Sequence, residues 1–289
     1  MSETGQHLKI KRKLQVSNGY YLQLDQLARL MNSDRAKDGQ QKNSTRRLAE
    51  DTGLPLRQVE NLVSIGRALG IFTDISLRLS PLGSLIAAHD CFFQAKGTLE
   101  YMHYLAAGNY QNLIWYEIFN TVLPNNQPKD YRGWLNYFRE TLAEQYSAYS
   151  LKSHLRKEVR FIIDAYLDKE FQRLELLQQA EDGRLYRRRG LTPEPLILAA
   201  MLYDYAGKQQ TYTLQVGEMP QIPGSPPMVM GMDEVTFRQQ TIKLHEKDYL
   251  RYEGTHNLDQ IRLKPGLDGI NFLKAFYEKT ELQTMAATR

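Results

Sequence analysis

The segment Asn43–Gly83, NSTRRLAEDTGLPLRQVENLVSIGRALGIFTDISLRLSPLG, limits the fold of this chain more than any other stretch. Ser44 has the side chain to cap a first helix, Leu48 and Ala49 face inward, and Gly53 can end that helix in a left-handed turn. Leu54 plugs the corner, and Pro55 presets the backbone at the start of a second helix, where its missing N–H costs nothing. In that second helix Val59, Leu62, Val63 and Leu69 form an inward stripe, which leaves Arg57, Gln58, Asn61, Ser64 and Arg67 on other faces. Leu77 and Leu79 then alternate with Arg78 on a returning strand, so Arg78 points outward, and Ser80-Pro81 opens a new helix. This is the order of a winged helix-turn-helix, whose second helix usually lies in the DNA major groove.

Arg57, Gln58, Asn61 and Arg67 are side chains of the kinds that contact base edges. Arg46, Arg47 and Arg78, with the run Arg187, Arg188 and Arg189, are suited to phosphates. Many winged domains pack against protein instead, so the fold alone does not settle the partner. A net charge of +4 and a pI near 8.9 permit nucleic-acid binding without requiring it.

The remainder reads as mainly α. Residues 1–16 form a basic arm with Lys9, Lys11, Arg12 and Lys13, and 17–90 form the winged domain, opened by a packing helix from Tyr20 to Met31. Residues 91–190 form a helical middle, with buried stripes through Trp115, Ile118, Phe119 and Val122, then Trp134, Leu135, Phe138 and Leu142, then Leu155, Val159, Ile162, Ile163 and Tyr166. Glu181–Gly190 reads as a polar turn. Residues 191–279 form a C-terminal element: a helix opened by Thr192-Pro193, a loop over 216–231 whose prolines and glycines exclude regular structure, and a helix capped by Asp233. Strands at Tyr249–Tyr252 and Gln260–Leu263 follow, so helix, helix and hairpin repeat the first domain as a second, degenerate winged element. Residues 280–289 read as a frayed tail.

The chemistry-bearing residues are scattered. The single cysteine, Cys91, excludes an internal disulfide and a cysteine-rich zinc site, fits a cytoplasmic setting, and reads as a core residue beside Phe92 and Phe93. There is no run of apolar residues long enough to span a membrane, no phosphate loop and no nucleophile elbow. Glu117, Glu158, Asp164, Asp168 and Asp204 are too dispersed to define a metal site, and His103 in the row Leu99, His103, Ala106 reads as a satisfied core histidine. No active site is legible.

The block GTLEYMHYLAAGNYQNLIWYEIFN, with Gly97-Thr98-Leu99, His103, Trp115 and Phe119-Asn120, resembles the hallmark block of a bacterial domain family of unknown function that includes SspB, the nicking component of DNA phosphorothioation defence systems. TGLPLRQVENLVSIGRALGIF, KEVRFIIDAY (Lys157–Tyr166) and LKPGLDG (Leu263–Gly269) are similar to further blocks of it, with Glu158 where an aspartate is common and Glu100-Tyr101 in place of apolar and tryptophan positions. The resemblance implies a cytoplasmic DNA-binding protein of a phosphorothioation or anti-phage defence system. It also implies nicking with Mg²⁺, and work beside an ATPase, a sulfurtransferase and a cysteine desulfurase. Two other readings fit the same residues: a non-enzymatic winged-helix transcription regulator, and a protein-interaction scaffold within a defence complex.

Overall fold

Helical spacing of apolar residues runs through most of the sequence, and the computed structural model is accordingly mainly helical, with small sheets. It describes residues 12–33, 45–73, 77–125, 129–255 and 258–287; Lys9, Lys11, the expected cap Ser44 and residues 74–76 lie outside them.

The N-terminal unit packs α1 (Leu24–Met31), α2 (Thr45–Thr52) and α3 (Leu56–Ala68) through Leu24, Leu27, Met31, Leu48, Val59, Leu62 and Val63, all buried. The first helix begins later than its apolar pattern suggests, because Tyr20 and Tyr21 point into solvent instead of joining the stripe. Gly53, at φ +66°, ends α2, and Pro55 sits at the N-cap of α3. Beyond Gly70 the chain doubles back through an antiparallel bridge between Phe72 and Leu79. Thr73 N–H donates to Arg78 O at 2.9 Å and Ser80 N–H to Ile71 O at 2.8 Å. Ser80 Oγ accepts from Gly83 N–H at 2.9 Å and starts α4 (Pro81–His89) as its sequence demands.

The middle is built on α5 (Lys96–Gly108), which is buried on nearly every side. Around it lie α6 (Leu113–Glu117), running into a π turn at Ile118–Val122, then α7 (Tyr131–Thr141) and α8 (Arg156–Leu167), which a second π turn at Leu151–Leu155 leads into. Trp115, Phe119, Trp134, Phe138, Phe161, Tyr166 and Phe171 fill the space between them. The polar stretch after α8 is more than a turn. Leu177–Gln179 (β1) and Leu185–Arg187 (β2) pair as an antiparallel hairpin around it.

The C-terminal unit runs α9 (Pro195–Lys208), β3 (Thr213–Gln215), α10 (Pro226–Met230), α11 (Glu234–Glu246), β4 (Arg251–Thr255) and β5 (Leu258–Arg262). Its antiparallel sheet has the order β3-β5-β4, with Thr213 opposite Arg262 and Tyr252 opposite Ile261. The expectation of no regular structure over 216–231 is corrected by α10: Ser225 Oγ caps Met228 N–H at 3.3 Å, and prolines in a first turn have no N–H to lose. The tail expected from residue 280 is corrected as far as Ala287, since α12 (Gly269–Ala287) runs on to that residue and packs along α9 and α4.

Part of the basic arm is also docked. Lys13 N–H bonds Gln111 O at 2.8 Å, Leu14 and Val16 are buried, and Arg12 Nη1 lies 2.6 Å from Glu117 Oε1.

Candidate nucleic-acid interface and buried motif core

In the N-terminal unit, Arg46 and Arg47 occupy the first turn of α2 and Arg57 the first turn of α3, all exposed, with Arg78 exposed on the returning strand. Helix N-termini carry partial positive charge, so these cations add to it. Glu50, Asp51 and Glu60 are exposed further along the same helices. The other expected contact residues are placed differently. Asn61 is buried, not off the inward stripe, and its amide donates to Arg57 O at 2.6 Å. Such a back-bond to the preceding turn occupies the group that would read a base. Gln58 is half-buried and donates to Gln23 Oε1 at 3.3 Å, and Arg67 is half-buried with its Nε shielded from solvent.

The three consecutive arginines separate. Arg188 is ion-paired to Glu175, and Arg189 is exposed near Asp233. Arg187 is no phosphate clamp. Its guanidinium turns inward and donates to Phe119 O at 3.3 Å, Met228 O at 2.7 Å and Val229 O. Burial lowers its pKa to about 10, so it stays a cation at neutral pH, held by carbonyl dipoles that tie β2 to α10 and the first π turn.

The residues of the family block meet in the interior. His103 is fully buried, and burial, with the Arg187 charge as a smaller contribution, lowers its pKa to about 3. The ring is therefore neutral. Val229 O, 3.2 Å from Nε2, can only accept, so Nε2 carries the hydrogen and Nδ1 accepts from Tyr166 Oη. Trp115 Nε1–H in turn donates to Tyr166 Oη at 2.9 Å. Phe119 packs edge-on to His103 with ring centroids 4.6 Å apart. Asn120 uses both ends of its amide: Nδ2 donates to Ala107 O and Tyr116 O at 2.9 Å, and Oδ1 accepts from Gly224 N–H at 2.7 Å. Gly97 is required by close packing, since a Cβ there would lie 2.6 Å from Phe276 Cζ. Each polar atom of the His103–Tyr166–Trp115 chain has its partner, and the chain is sealed from solvent. It specifies packing and offers nothing to a substrate.

Two buried glutamates brace this core. Glu158 Oε1 accepts from Val16 N–H at 2.9 Å, and Oε2 accepts from Ser17 N–H at 3.1 Å and Ser17 Oγ–H at 2.8 Å. Glu100 Oε2 accepts from Glu194 N–H at 3.1 Å, just ahead of α9. Burial outweighs these hydrogen bonds and pushes both carboxyls up to about 7. Sequence reading passed over Glu100 as a brace, because an acidic residue within a helix gives no sign that its partner lies 94 positions away.

Among the described residues no three His, Cys, Asp or Glu side chains gather as a metal site. Glu100, Glu158 and Asp164 each answer a separate partner, Asp164 lying 2.7 Å from Arg160 Nε. Cys91 is half-buried instead of lying in the core. No described helix is long and apolar enough to cross a membrane.

Two solved structures share this architecture. A magnesium ion-bound SspB crystal structure superposes with a TM-score of 0.71 at 12% identity, covering 92% of this chain and 86% of that one. A second SspB crystal structure gives 0.70 at 14% identity with the same coverage. At such identities the likeness establishes the fold. The carboxylates described above, already paired to backbone N–H groups and arginine, do not fit a magnesium site. No curated protein matches the sequence. The family model described as "Protein of unknown function (DUF4007)" matches residues 68–277, beginning at the end of α3 and taking in the whole buried motif core. With most of its length matched, the chain belongs to the DUF4007 family.

Proposed function

We propose that this protein is a DNA-binding member of a bacterial phosphorothioation or anti-phage defence system, and that it meets duplex DNA through its N-terminal unit, read as a winged helix-turn-helix. The observation that carries the reading is the exposed set Arg46, Arg47, Arg57 and Arg78 on two short helices and the strand beside them. The defence setting is supported by family membership and by the shared fold with SspB. Salt-dependent duplex binding, followed by fluorescence anisotropy, tests it: affinity should fall steeply with salt, and Arg57→Ala should weaken it. Affinity indifferent to salt would overturn it. Strand nicking stays with the resemblance to the SspB family. Conversion of supercoiled plasmid to open circle by the purified chain with Mg²⁺, and not without it, is the outcome that would extend the reading to an enzyme.

A second reading applies to the C-terminal unit. The order α9, β3, α10, α11, β4, β5 with sheet order β3-β5-β4 supports a second winged element. Its α11 exposes Val235 (63%) and Ile242 (37%), while Arg238 is held by Glu234 and Asp259. This surface suits protein partners such as the ATPase, sulfurtransferase or cysteine desulfurase of a defence complex better than phosphates. Co-purification lost on Val235→Glu and Ile242→Glu, with duplex affinity retained, is the expected result.

A further inference from the structure

A surface cleft of about 470 Å³ opens between the turn at 19–21, the start of α7 and one side of α8 from Arg156 to Asp164. Tyr20, Tyr21 and Tyr131 line it together with Arg156, Lys157 and Arg160, and Asp164 closes its floor. That volume is enough for a small ligand of nucleotide size. The lining mixes flat aromatic rings with cations, the combination that holds unpaired nucleotides by stacking and by phosphate contact.

The rings are held in place. Tyr21 is 56% exposed and Tyr20 38%, with Lys169 Nζ 5.7 Å from the centre of the Tyr21 ring. Yet their turn is fixed: Tyr20 N–H bonds Ser17 O at 3.0 Å, and Ser17 is gripped by the buried Glu158. Gly19, at φ +86°, lies so close to Lys157 that a Cβ would meet Lys157 Cδ at 2.9 Å. Arg156 and Lys157 are exposed, and neither makes an ion pair among the described residues.

Asp164 is the second, independent observation. It is only 3% exposed, and Arg160 Nε lies 2.7 Å from its Oδ1, while Oδ2 has no partner among the described residues. A buried carboxylate oxygen without a donor is costly to leave so. An acceptor beside a guanidinium donor matches the edge of a base that pairs an amino group with a ring-nitrogen acceptor, as in cytosine.

We propose that this cleft binds an unpaired nucleotide with an amino-bearing base, stacked on Tyr20 and Tyr21, its phosphate on Arg156 and Lys157 and its amino group on Asp164. The site is separate from the duplex-facing arginines, so either proposal can fail alone.

The test uses the full chain and labelled single strands dC20 and dT20, a labelled duplex, and competition by dCMP and by inorganic phosphate. We expect dC20 to bind more tightly than dT20, and dCMP to displace it far better than phosphate. Tyr21→Ala and the pair Arg156→Ala with Lys157→Ala should each weaken dC20 binding about tenfold, leaving duplex affinity within twofold. Asp164→Asn should erase the preference for dC20 over dT20. A charge pair and an exposed ring can be removed without unfolding, so a combined cleft variant with unchanged Tm that still binds dC20 as wild type overturns the proposal. Phosphate competing as well as dCMP also overturns it. Loss of duplex binding on Arg46→Ala, Arg57→Ala and Arg78→Ala with dC20 binding intact supports both sites, and no duplex binding with dC20 binding retained sinks the duplex reading alone.

Discussion

In the N-terminal unit the first turns of α2 and α3 bring Arg46, Arg47 and Arg57 to the surface, whereas α11 of the C-terminal unit has its one arginine, Arg238, 2.7 Å from both Glu234 Oε1 and Asp259 Oδ2. Both units follow two helices with a hairpin or a returning strand, yet their surfaces differ in charge and in apolar exposure. Element order therefore says little about what each unit binds, and the exposed cations say more. The units differ inwardly too. The C-terminal unit depends on a cation taken inside, Arg187, while the N-terminal unit leaves Arg46, Arg47, Arg57 and Arg78 exposed.

The largest effect should come from that inner cation. Arg187→Met would take the charged donor from the carbonyls of Phe119, Met228 and Val229, leaving Met228 O with only Gly231 N–H and Val229 O with only His103. We expect a loss of about 3–4 kcal/mol, read as a lower midpoint in urea unfolding. Arg57→Ala, on an exposed first turn, should change stability by less than about 0.5 kcal/mol. Equal costs would show that the contrast between an inward and an outward cation is wrong.

Binding should reverse the order. Replacing Arg46, Arg57 and Arg78 together by alanine should weaken duplex affinity about a hundredfold, or about 2.7 kcal/mol, and lower the slope of log K against log salt by about three. Lys243→Ala with Arg251→Ala on the C-terminal unit should change affinity less than about threefold. An anisotropy titration at several salt concentrations measures both.

How much of this was legible follows from how local each cause is. The cap Ser80, the turn glycine Gly53 and the stripes through Trp115, Trp134 and Val159 act within one or two turns, and sequence periodicity finds them. The sheets were harder. Strands β1, β2 and β3 have three residues each, too short for an alternation to register, and α10 hides behind Pro226-Pro227, which read as a breaker until Ser225 is seen to cap it. The site residues were least legible. Asn61 looks like a base reader and Arg187 like a phosphate clamp; only the fold shows the amide turned back on Arg57 O and the guanidinium on carbonyls some 41 or more positions away. Tyr20 and Tyr21 fall in the stretch read as the opening helix, and their exposure beside Arg156 is invisible from spacing alone.

One buried carboxylate ties each unit to the middle, which gives a pH test of the comparison. Glu158 holds Val16 and Ser17 ahead of the N-terminal unit, and Glu100 holds Glu194 at the head of the C-terminal one. Each is raised to about 7 in the folded protein from an ordinary value of 4.5. Between those values the folded chain keeps a proton that the unfolded chain has released, so stability is highest below the unfolded pKa and falls as pH rises. From pH 5 to 7 each group should remove roughly 2 kcal/mol. His103, lowered to about 3, works in the opposite sense, losing stability as pH falls below about 6.5. Glu100→Gln and Glu158→Gln should each remove one carboxylate's share of the alkaline decline in denaturant melts. Glu158→Gln should also open the amides of 16–17 to hydrogen exchange, whereas Glu100→Gln should open Glu194. If either variant leaves the pH profile unchanged, that carboxyl is not titrating in the folded state.

A small effect is expected at Arg238, and it bears most directly on why the two units differ. The side chain is 34% exposed and shares its guanidinium between Glu234 and Asp259, while Tyr252 Oη–H also donates to Asp259 Oδ1 at 2.9 Å. An exposed pair of this kind contributes little, so Arg238→Gln should cost about 0.5 kcal/mol. Asp259 is held below the usual carboxylate range first by its hydrogen bond from Arg238, so the variant should lose less stability than wild type as the pH falls through the acid range. Duplex affinity should stay within twofold, because a guanidinium already answered by two carboxylates has little to offer a phosphate. If Arg238→Gln instead weakens duplex binding tenfold at unchanged Tm, the arginine leaves its carboxylates for DNA. The C-terminal unit would then be a second DNA-facing surface, and the apolar exposure of Val235 and Ile242 would have to be explained within that interface.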